Sequence, residues 1–291
     1  WEPMYFSELS TLLDRAKLSY ACSATFLEHI DSINLTAEQS ALLNTISSPV
    51  LKETVRDFMV GQQFRRDYWV KGVRRLSRFE ADERMKSLHV MLVSNADKLD
   101  LKVKGALGEG QMSETVYRPM LEAMSDHEVY SLAALEEKLA GRLNFVQLRE
   151  GLILLMGQGH VLPAQSEEQT AKVRDKAHRL NRFLLGKARS ESIGYLCSPV
   201  LGGGFNLNRI EQLFLLKTLE SKESSQGKAK KALSAEALAT YVYELLKAQG
   251  QSIFKEGKLI EDPKIALTEL RSMAQQFNER GLALLEKLQV C

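Results

Sequence analysis

The chain has few cysteines and lacks the sequence patterns of exported or membrane proteins. Its 291 residues include three cysteines, Cys22, Cys197 and Cys291, which stand far apart and form no C-x-x-C pair. This spacing excludes a disulfide framework and a zinc ribbon, and it favours a reducing compartment. No apolar run approaches the roughly 18 residues of a membrane span, and no signal-peptide pattern is present. We therefore expect a cytoplasmic protein.

The chain also lacks a strong charge of either sign. Its 39 lysines and arginines are almost balanced by 37 aspartates and glutamates, which gives a formal net charge of +2. A protein that holds nucleic acid or anionic lipid through a broad electrostatic field needs a much larger excess of cations. The hydrophobic share of 44% and the charged share of 26% are those of an ordinary globular protein.

Catalytic and cofactor motifs are missing as well. No two of the five histidines have the i, i+4 spacing of a helical metal site, and no G-x-S-x-G is present. The glycine run 202–204 lacks the spaced glycines of a dinucleotide loop and the lysine of a phosphate loop, which favours a structural turn. From these motifs we identify no catalytic, cofactor-binding or metal-ligating residue. An unrecognised enzyme with a site near this turn stays a third hypothesis.

One segment, residues 56–75, is unusual for what it contains. It combines six cations, two aspartates and four aromatic residues. Surface charge runs rarely hold so many aromatic side chains, and buried cores rarely hold adjacent arginines. The candidate interface or network residues are Arg56, Asp57, Arg65, Arg66, Asp67, Tyr68, Trp69, Arg74 and Arg75.

Two hypotheses account for this segment. In the first, arginines and aspartates form a network that holds a helix to the following strand, since bidentate Arg–Asp pairs suit such a joint. In the second, the segment lines a groove for an anionic ligand or a peptide. That groove would be formed by Arg65, Arg66, Arg74 and Arg75, with Tyr68 and Trp69 beside it.

The periodicity of the chain predicts an α+β, mainly helical protein. We expect a small mixed α/β unit at 1–112, a winged-helix-like module at 113–165, and a C-terminal helical region with a short hairpin at 166–291. A polar stretch near 221–231 has the composition of a linker.

Two predicted helices carry specific expectations. After the Ser48-Pro49 start, Leu51, Val55, Phe58 and Met59 fall on one helix face. A long helix at 167–187 is predicted to turn four residues inward. These are Val173, Ala177, Leu180 and Leu184.

The winged-helix-like module raises the alternative of a nucleic-acid-binding regulator. Its third helix, 145–157, would read the DNA, but this helix is apolar on nearly every side and has one arginine. A reading helix needs polar side chains for base edges and cations for phosphates. The composition therefore favours contact with protein, and we expect nucleic acid to be an unlikely partner.

The run from Arg56-Asp57-Phe58 to Phe64-Arg65-Arg66-Asp67-Tyr68-Trp69-Val70-Lys71-Gly72 resembles the bacterial methyltransferase regulatory domain. That domain follows a class I S-adenosylmethionine (SAM)-dependent methyltransferase domain in longer proteins. Three further stretches are similar to the same family. They are Trp1-Glu2-Pro3, Leu180-Asn181-Arg182 and Tyr195-Leu196-Cys197-Ser198-Pro199-Val200-Leu201-Gly202.

The resemblance implies a non-catalytic, regulatory part of a methyltransferase. It implies that the chain alone is not an enzyme and holds no cofactor, with SAM bound by a catalytic domain absent from this chain; the start at Trp1 agrees with a fragment. The expected partners are the catalytic domain of the same polypeptide, a protein substrate as in related bacterial protein-lysine methyltransferases, and a second copy in a homodimer, with no membrane. The chain would act by docking, by substrate presentation or by dimerisation.

Overall fold

Helices make up most of the chain, and small sheets of two or three short strands connect them, which confirms the predicted α+β, mainly helical class. The computed structural model describes residues 2–224, 233–255, 258–260 and 262–291. Residues 225–231 of the predicted linker lie outside them. The chain divides into two compact units, 1–163 and 164–291. The predicted three-part division and the winged-helix class stay predictions.

The first unit contains eight helices and seven strands among its described residues. The helices are α1 Phe6–Asp14, α2 Asp31–Asn34, α3 Ala37–Thr45, α4 Pro49–Val60, α5 Arg78–Lys86, α6 Glu114–Ala123, α7 Leu132–Lys138 and α8 Phe145–Gly157. The strands are β1 Leu18–Ser23, β2 Asp67–Lys71, β3 His89–Leu92, β4 Lys102–Gly105, β5 Gly108–Gln111, β6 Tyr130–Ser131 and β7 Val161–Ala164. A 3-10 turn, Phe26–His29, follows β1.

The element that leads into the unusual segment is α4. It begins where Ser48 accepts a hydrogen bond from the backbone of Leu51 and Pro49 takes the first turn. It ends at Gly61, whose φ of 65° is left-handed and favours glycine. The chain then reverses into β2, which pairs antiparallel with β1 so that Tyr20 lies opposite Trp69.

The hydrophobic core of the first unit is built mostly by β3, β4, α6, α7 and α8. Helix α8 alone buries Leu148, Gly151, Leu152, Leu154 and Leu155. This burial accounts for the apolar character of the helix, because its side chains serve the core.

Residues 2–71 contact this core through Leu27 and Ile33 and through hydrogen bonds to the β4–β5 hairpin. The backbone carbonyl of Ile33 accepts a hydrogen bond from the N–H of Leu107, and Asn34 Oδ1 accepts one from the N–H of Ala106. A Cβ at Gly105 would lie 2.2 Å from the Ile33 carbonyl oxygen. Only glycine permits this approach of the β4–β5 hairpin to α2.

The second unit is organised around four longer helices. Its described helices are α9 Glu167–Lys187, α10 Arg209–Ser224, α11 Ala235–Ala248, α12 Pro263–Gln276 and α13 Leu282–Lys287. Its strands are β8 Tyr195–Ser198, β9 Gly203–Asn206, β10 Ile253–Lys255 and β11 Lys258–Ile260. The described part of the chain has no helix with both the length and the apolar character to cross a membrane.

The predicted inward face of α9 is wrong at two of its four residues, since Ala177 is buried and Leu184 is half-buried as expected. Val173 is 42% exposed and Leu180 is 48% exposed, although both were expected in the core. The buried positions are Thr170, Ala177, Asn181 and Leu185. The buried stripe is rotated because two polar residues satisfy their hydrogen bonds inside the unit, which periodicity of apolar residues does not detect.

Asn181 is the residue around which this buried stripe is arranged. Its side chain, 1% exposed, donates to the carbonyls of Cys197 at 2.7 Å and Val290 at 2.6 Å, and it accepts from the N–H of Cys197 at 2.7 Å. Ser198 donates to the carbonyl of Leu288 at 2.7 Å. These bonds hold residues 288–290 against β8, and they join the Leu180-Asn181-Arg182 stretch to the Tyr195–Gly202 stretch.

Replacing Asn181 should destabilise the second unit. Asn181→Ala leaves two carbonyls and one N–H buried without this partner, which should cost about 3 kcal/mol. Gln275→Ala is the matched control, since Gln275 is an exposed helical amide with one surface bond, to Glu279; its effect should stay within about 0.5 kcal/mol. Urea unfolding followed by circular dichroism measures both, and equal effects would contradict this account.

Candidate functional site

Arg65 is the centre of a charge network between α4, β1 and β2. Its Nε and Nη2 donate to Asp67 at 2.9 and 3.1 Å, and its Nη1 donates to Asp57 Oδ1 at 2.5 Å. Nη2 also donates to Glu53 Oε2 at 3.0 Å and to the hydroxyl of Tyr20 at 3.1 Å. The side chain is only 14% exposed. A planar guanidinium is suited to this role because its donors leave in a fixed fork.

Aromatic rings pack against the apolar faces of this network. The Arg65 guanidinium lies 4.4 Å from the centre of the Phe6 ring. The Trp69 ring stacks on Phe6 at 5.7 Å, and the Tyr20 ring meets both of them edge-on. The segment thus combines aromatic and charged residues because carboxylates hold the N–H edge of the Arg65 guanidinium while the Phe6 ring lies over its face.

Burial dominates the titration of the groups around Arg65. Burial and the nearby Glu53 carboxylate raise the pKa of Tyr20 far above its usual value of 10.0. Burial also raises the pKa of Asp57, and the attraction of Arg65 only partly offsets it. For Arg65, burial alone would lower the pKa, but the hydrogen bonds to Asp67 and Glu53 outweigh it and raise the pKa.

A second ion pair extends the network toward the 3-10 turn and α2. Arg56 Nη1 donates to Asp31 Oδ1 at 2.6 Å, and Nη2 donates to the backbone carbonyl of Glu28 at 2.6 Å. The Glu28 carboxylate accepts from Gln62 at 3.1 Å and from the Ser23 hydroxyl at 2.5 Å. Both arginines therefore bind α4 to the preceding structure.

The network borders an open cleft with a volume of about 400 Å³. The cleft is lined by Tyr20, Ser23, Glu28, His29, Asp31, Asn34, Lys52, Glu53, Arg56, Asp57, Val60, Gln62, Arg65 and Ala106. Most of these side chains are charged or polar, so the cleft can exchange hydrogen bonds with a polar ligand.

The structure brings only part of the candidate set together. Arg65 and Asp67 point inward, whereas Arg66 and Tyr68 are exposed, as alternation along a strand requires. Arg74, with a side chain 74% exposed, pairs with Glu80, and Arg75 is exposed as well. The four arginines of the proposed anion groove thus do not share one surface.

Four residues of the site escaped sequence reasoning. Tyr20, Glu28, Asp31 and Glu53 lie 12 to 45 positions from the arginines that they contact. None stands in a motif, and a single sequence carries no signal for such long-range pairs.

The amino-terminal segment that builds the Arg65 network is also the one that matches a known family. Residues 1–71 match the family described as predicted methyltransferase regulatory domain. This match confirms the resemblance stated for Arg56–Gly72.

Two similar proteins extend the comparison beyond this segment. Protein sll1526 of Synechocystis sp. is 30% identical over 289 residues, which cover 99% of this chain and 54% of that protein. The structure of PKMT2 from Rickettsia typhi in complex with AdoHcy aligns with a TM-score of 0.50 and 14% identity, covering 98% of this chain and 57% of PKMT2. The chain thus spans little more than half the length of each.

The likeness to PKMT2 contradicts two predictions made from the sequence. We expected that the chain is not an enzyme because its SAM-binding catalytic domain is missing, and that it holds no cofactor. Nearly the whole chain shares the fold of a protein whose structure contains AdoHcy. The absence of a donor-binding motif was weak ground for both predictions, because binding groups assemble in space and not in sequence.

The cleft beside Arg65 does not fit a methyl donor. Its apolar lining consists of Val60 and Ala106, and the ring of Tyr20 is already packed against Phe6 and Trp69. An adenine ring needs open apolar or aromatic faces. The glycine run 202–204 lies in the antiparallel β8–β9 hairpin, where Gly202 ends the turn and Gly203 and Gly204 pair with β8. We assign donor contacts to neither place.

Arg65 and its neighbour Arg66 provide a test of the network. Arg65→Ala removes the only guanidinium among three carboxylates and should destabilise the protein by about 3 kcal/mol or more. Arg66→Ala removes an exposed cation and should change stability by less than about 0.5 kcal/mol. Chemical unfolding of the two variants measures the difference. A small effect at Arg65 would show that the network contributes little.

The raised pKa of Tyr20 predicts a loss of stability in alkali. Above its usual pKa of 10.0, Tyr20 ionises in the unfolded chain but keeps its proton in the folded protein. The folded state then binds more protons, so the free energy of unfolding falls as pH rises. Phenolate difference spectra should show tyrosines that ionise only on unfolding, and Tyr20→Phe should reduce this signal by one tyrosine, since burial also raises the pKa of Tyr117. An undiminished signal in the variant would assign it to other tyrosines.

Proposed function

We propose that the chain works within a SAM-dependent methyltransferase and that residues 1–71 regulate methyl transfer by docking. The surface that docks is the uncovered apolar surface around α4, and its partner is the part of the methyltransferase that binds the methyl donor. The family match supports the regulatory role, and the likeness to the AdoHcy complex of PKMT2 supports the donor.

This proposal rests on the excess of exposed over buried apolar side chains in residues 2–71. In this described segment only Phe6, Leu35 and Leu43 are buried hydrophobic residues. Ten large hydrophobic side chains are exposed instead, which are Met4, Tyr5, Leu12, Phe26, Leu42, Leu51, Phe58, Phe64, Tyr68 and Val70. A segment with so much exposed apolar surface is typical of one that contacts another protein surface.

Helix α4 provides the centre of this surface. Leu51 is 53% exposed and Phe58 is 66% exposed, and the i, i+7 spacing places them on one helix face. The Phe58 ring lies 5.5 Å from the ring of Tyr5, itself 59% exposed. We name Tyr5, Leu51 and Phe58 the α4 surface. Large apolar anchors of this kind supply most of the energy of protein interfaces.

The charge network beneath supports the role of the α4 surface. Asp57 and Glu53 hold α4 to Arg65, and Arg56 holds it to Asp31. The helix is therefore fixed in place while its apolar face stays open. A surface that is already ordered loses less conformational entropy on binding.

Regulation follows if the contact differs between two states of the enzyme. A docked segment shifts an equilibrium only by the difference in its affinity for the two states. Substrate presentation and homodimerisation are two other ways in which the same surface can act on methyl transfer. We favour docking onto the donor-binding part. The nucleic-acid alternative gains no support from α8, since five of its residues are buried within the first unit.

The α4 surface can be tested by a double substitution in the native protein. Leu51→Ser with Phe58→Ser removes two exposed apolar anchors and should change the kcat/KM of methyl transfer from labelled SAM by about tenfold, equivalent to about 1.4 kcal/mol. The direction of the change gives the sign of regulation. Sedimentation velocity on the same variant separates docking within one copy from dimerisation.

Phe79→Ser is the matched control for this test. Phe79 is 75% exposed on α5, outside residues 1–71. Its loss removes an exposed ring of the same kind and should leave kcat/KM unchanged. Equal kcat/KM for the double variant and the unmodified protein, with both folded, would overturn the proposal.

A further inference from the structure

The cleft beside Arg65 contains more acidic than basic side chains. Four carboxylates line it, which are Glu28, Asp31, Glu53 and Asp57. The cations of its lining are Lys52, Arg56 and Arg65. Asp67 adds a fifth carboxylate through its bonds to Arg65. The cleft and its immediate support thus have a formal excess of two negative charges.

The cations of the cleft are already engaged, whereas its carboxylates keep acceptor capacity. Arg65 uses Nε, Nη1 and Nη2, and Arg56 uses Nη1 and Nη2. Asp31 and Asp57 each receive these arginines at Oδ1. An ionised carboxylate has about four lone-pair sites. A ligand that brings donors fits the cleft better than one that brings acceptors.

The titration of neighbouring groups reflects mainly their burial. Burial is the largest cause of the raised pKa of Tyr20, Cys22 and Asp57, and burial disfavours a charge of either sign. Nearby carboxylates add a smaller contribution of the same direction, Glu53 at Tyr20 and Asp67 at Cys22. Only this smaller contribution has the sign that favours a bound positive charge.

The lining and volume of the cleft favour an organic cation over a metal ion. Among the described residues no group of three or more His, Cys, Asp or Glu could hold a metal ion. A volume of about 400 Å³ is that of a pocket for a small organic molecule. Val60 and Ala106 in the lining can contact a short alkyl chain. An ammonium group on such a chain supplies three donors and one positive charge.

We propose that the cleft between the 3-10 turn, α2 and α4 binds an alkylammonium group. Asp31 and Asp57 accept its N–H donors, Glu53 and Glu28 add to its electrostatic stabilisation, and its alkyl stem lies along Val60 and Ala106. The group belongs either to a free polyamine or to a lysine side chain of a partner protein. Binding at this site can be tested in the protein without any measurement of docking by the α4 surface.

Pentane-1,5-diamine and glutarate are matched probes for this site, because they have the same number of carbons and opposite charges. Calorimetric titration of the intact protein should show binding of the diamine and none of glutarate. Diamine binding should weaken as salt is added, since the contact is ionic. Equal binding of both probes, or binding of neither, would overturn the proposal.

Three substitutions then place the ligand in the cleft. Asp31→Asn removes one charge from a side chain that is 62% exposed, keeps an acceptor for Arg56, and should weaken diamine binding about tenfold. Lys52→Gln removes a cation of the lining and should strengthen binding by a similar factor. Ala106→Trp fills the lining without a change of charge and should abolish binding.

Glu80→Gln is the control, since Glu80 pairs with Arg74 away from the cleft. It should leave the affinity unchanged, and circular dichroism should show that every variant is folded. If Asp31→Asn and Ala106→Trp bind the diamine as well as the unmodified protein does, the site is not this cleft. A lysine-containing peptide compared with spermidine in the same titrations distinguishes a protein side chain from a free polyamine as the source.

Discussion

The buried guanidinium of Arg65 is the interaction on which the amino-terminal segment depends. Three carboxylates and two aromatic rings from α1, β1, α4 and β2 converge on it. Such a cluster contributes little net stability compared with an apolar core, but removing one member leaves the rest buried and uncompensated. It therefore specifies one arrangement of α4 and β2. With three buried hydrophobic residues in 2–71, apolar packing alone would specify that arrangement poorly.

This constraint explains how one short segment has two different faces. Strand β2 turns Asp67 and Trp69 toward Arg65 and leaves Tyr68 and Val70 exposed. Helix α4 gives Glu53, Arg56 and Asp57 to the charge network and keeps Leu51 and Phe58 outside. In most amphipathic helices the apolar face is buried and the charged face meets water. In α4 Leu51 and Phe58 are exposed and the charged side chains face the protein, because the charged side chains form the network with Arg65.

Local sequence patterns predicted part of this structure, and contacts between distant residues determine the rest. The bounds of α9, the start of α4 and the position of β2 follow local rules of capping, proline and alternation, and they agree with the structure. The hypothesis of a network around Arg65 followed from the improbable mixture of residues. The partners Tyr20 and Glu53 could not be predicted, since pairing across 45 and 12 positions depends on tertiary structure. The inward face of α9 was wrong at Val173 and Leu180, because Thr170 and Asn181 are the buried residues in their place.

The two proposed binding surfaces of the first unit differ in the interaction that stabilises a bound partner. Apolar anchors such as Phe58 gain free energy by leaving water, and their affinity depends weakly on salt. The cleft beside Arg65 is polar, and its affinity for a cation depends on charge and therefore on ionic strength. Both lie on α4, so Arg56 and Asp57 connect them mechanically. A cation that neutralises Asp57 would weaken the hold of Arg65 on α4. Occupation of the cleft would thereby change how firmly Leu51 and Phe58 are held in place.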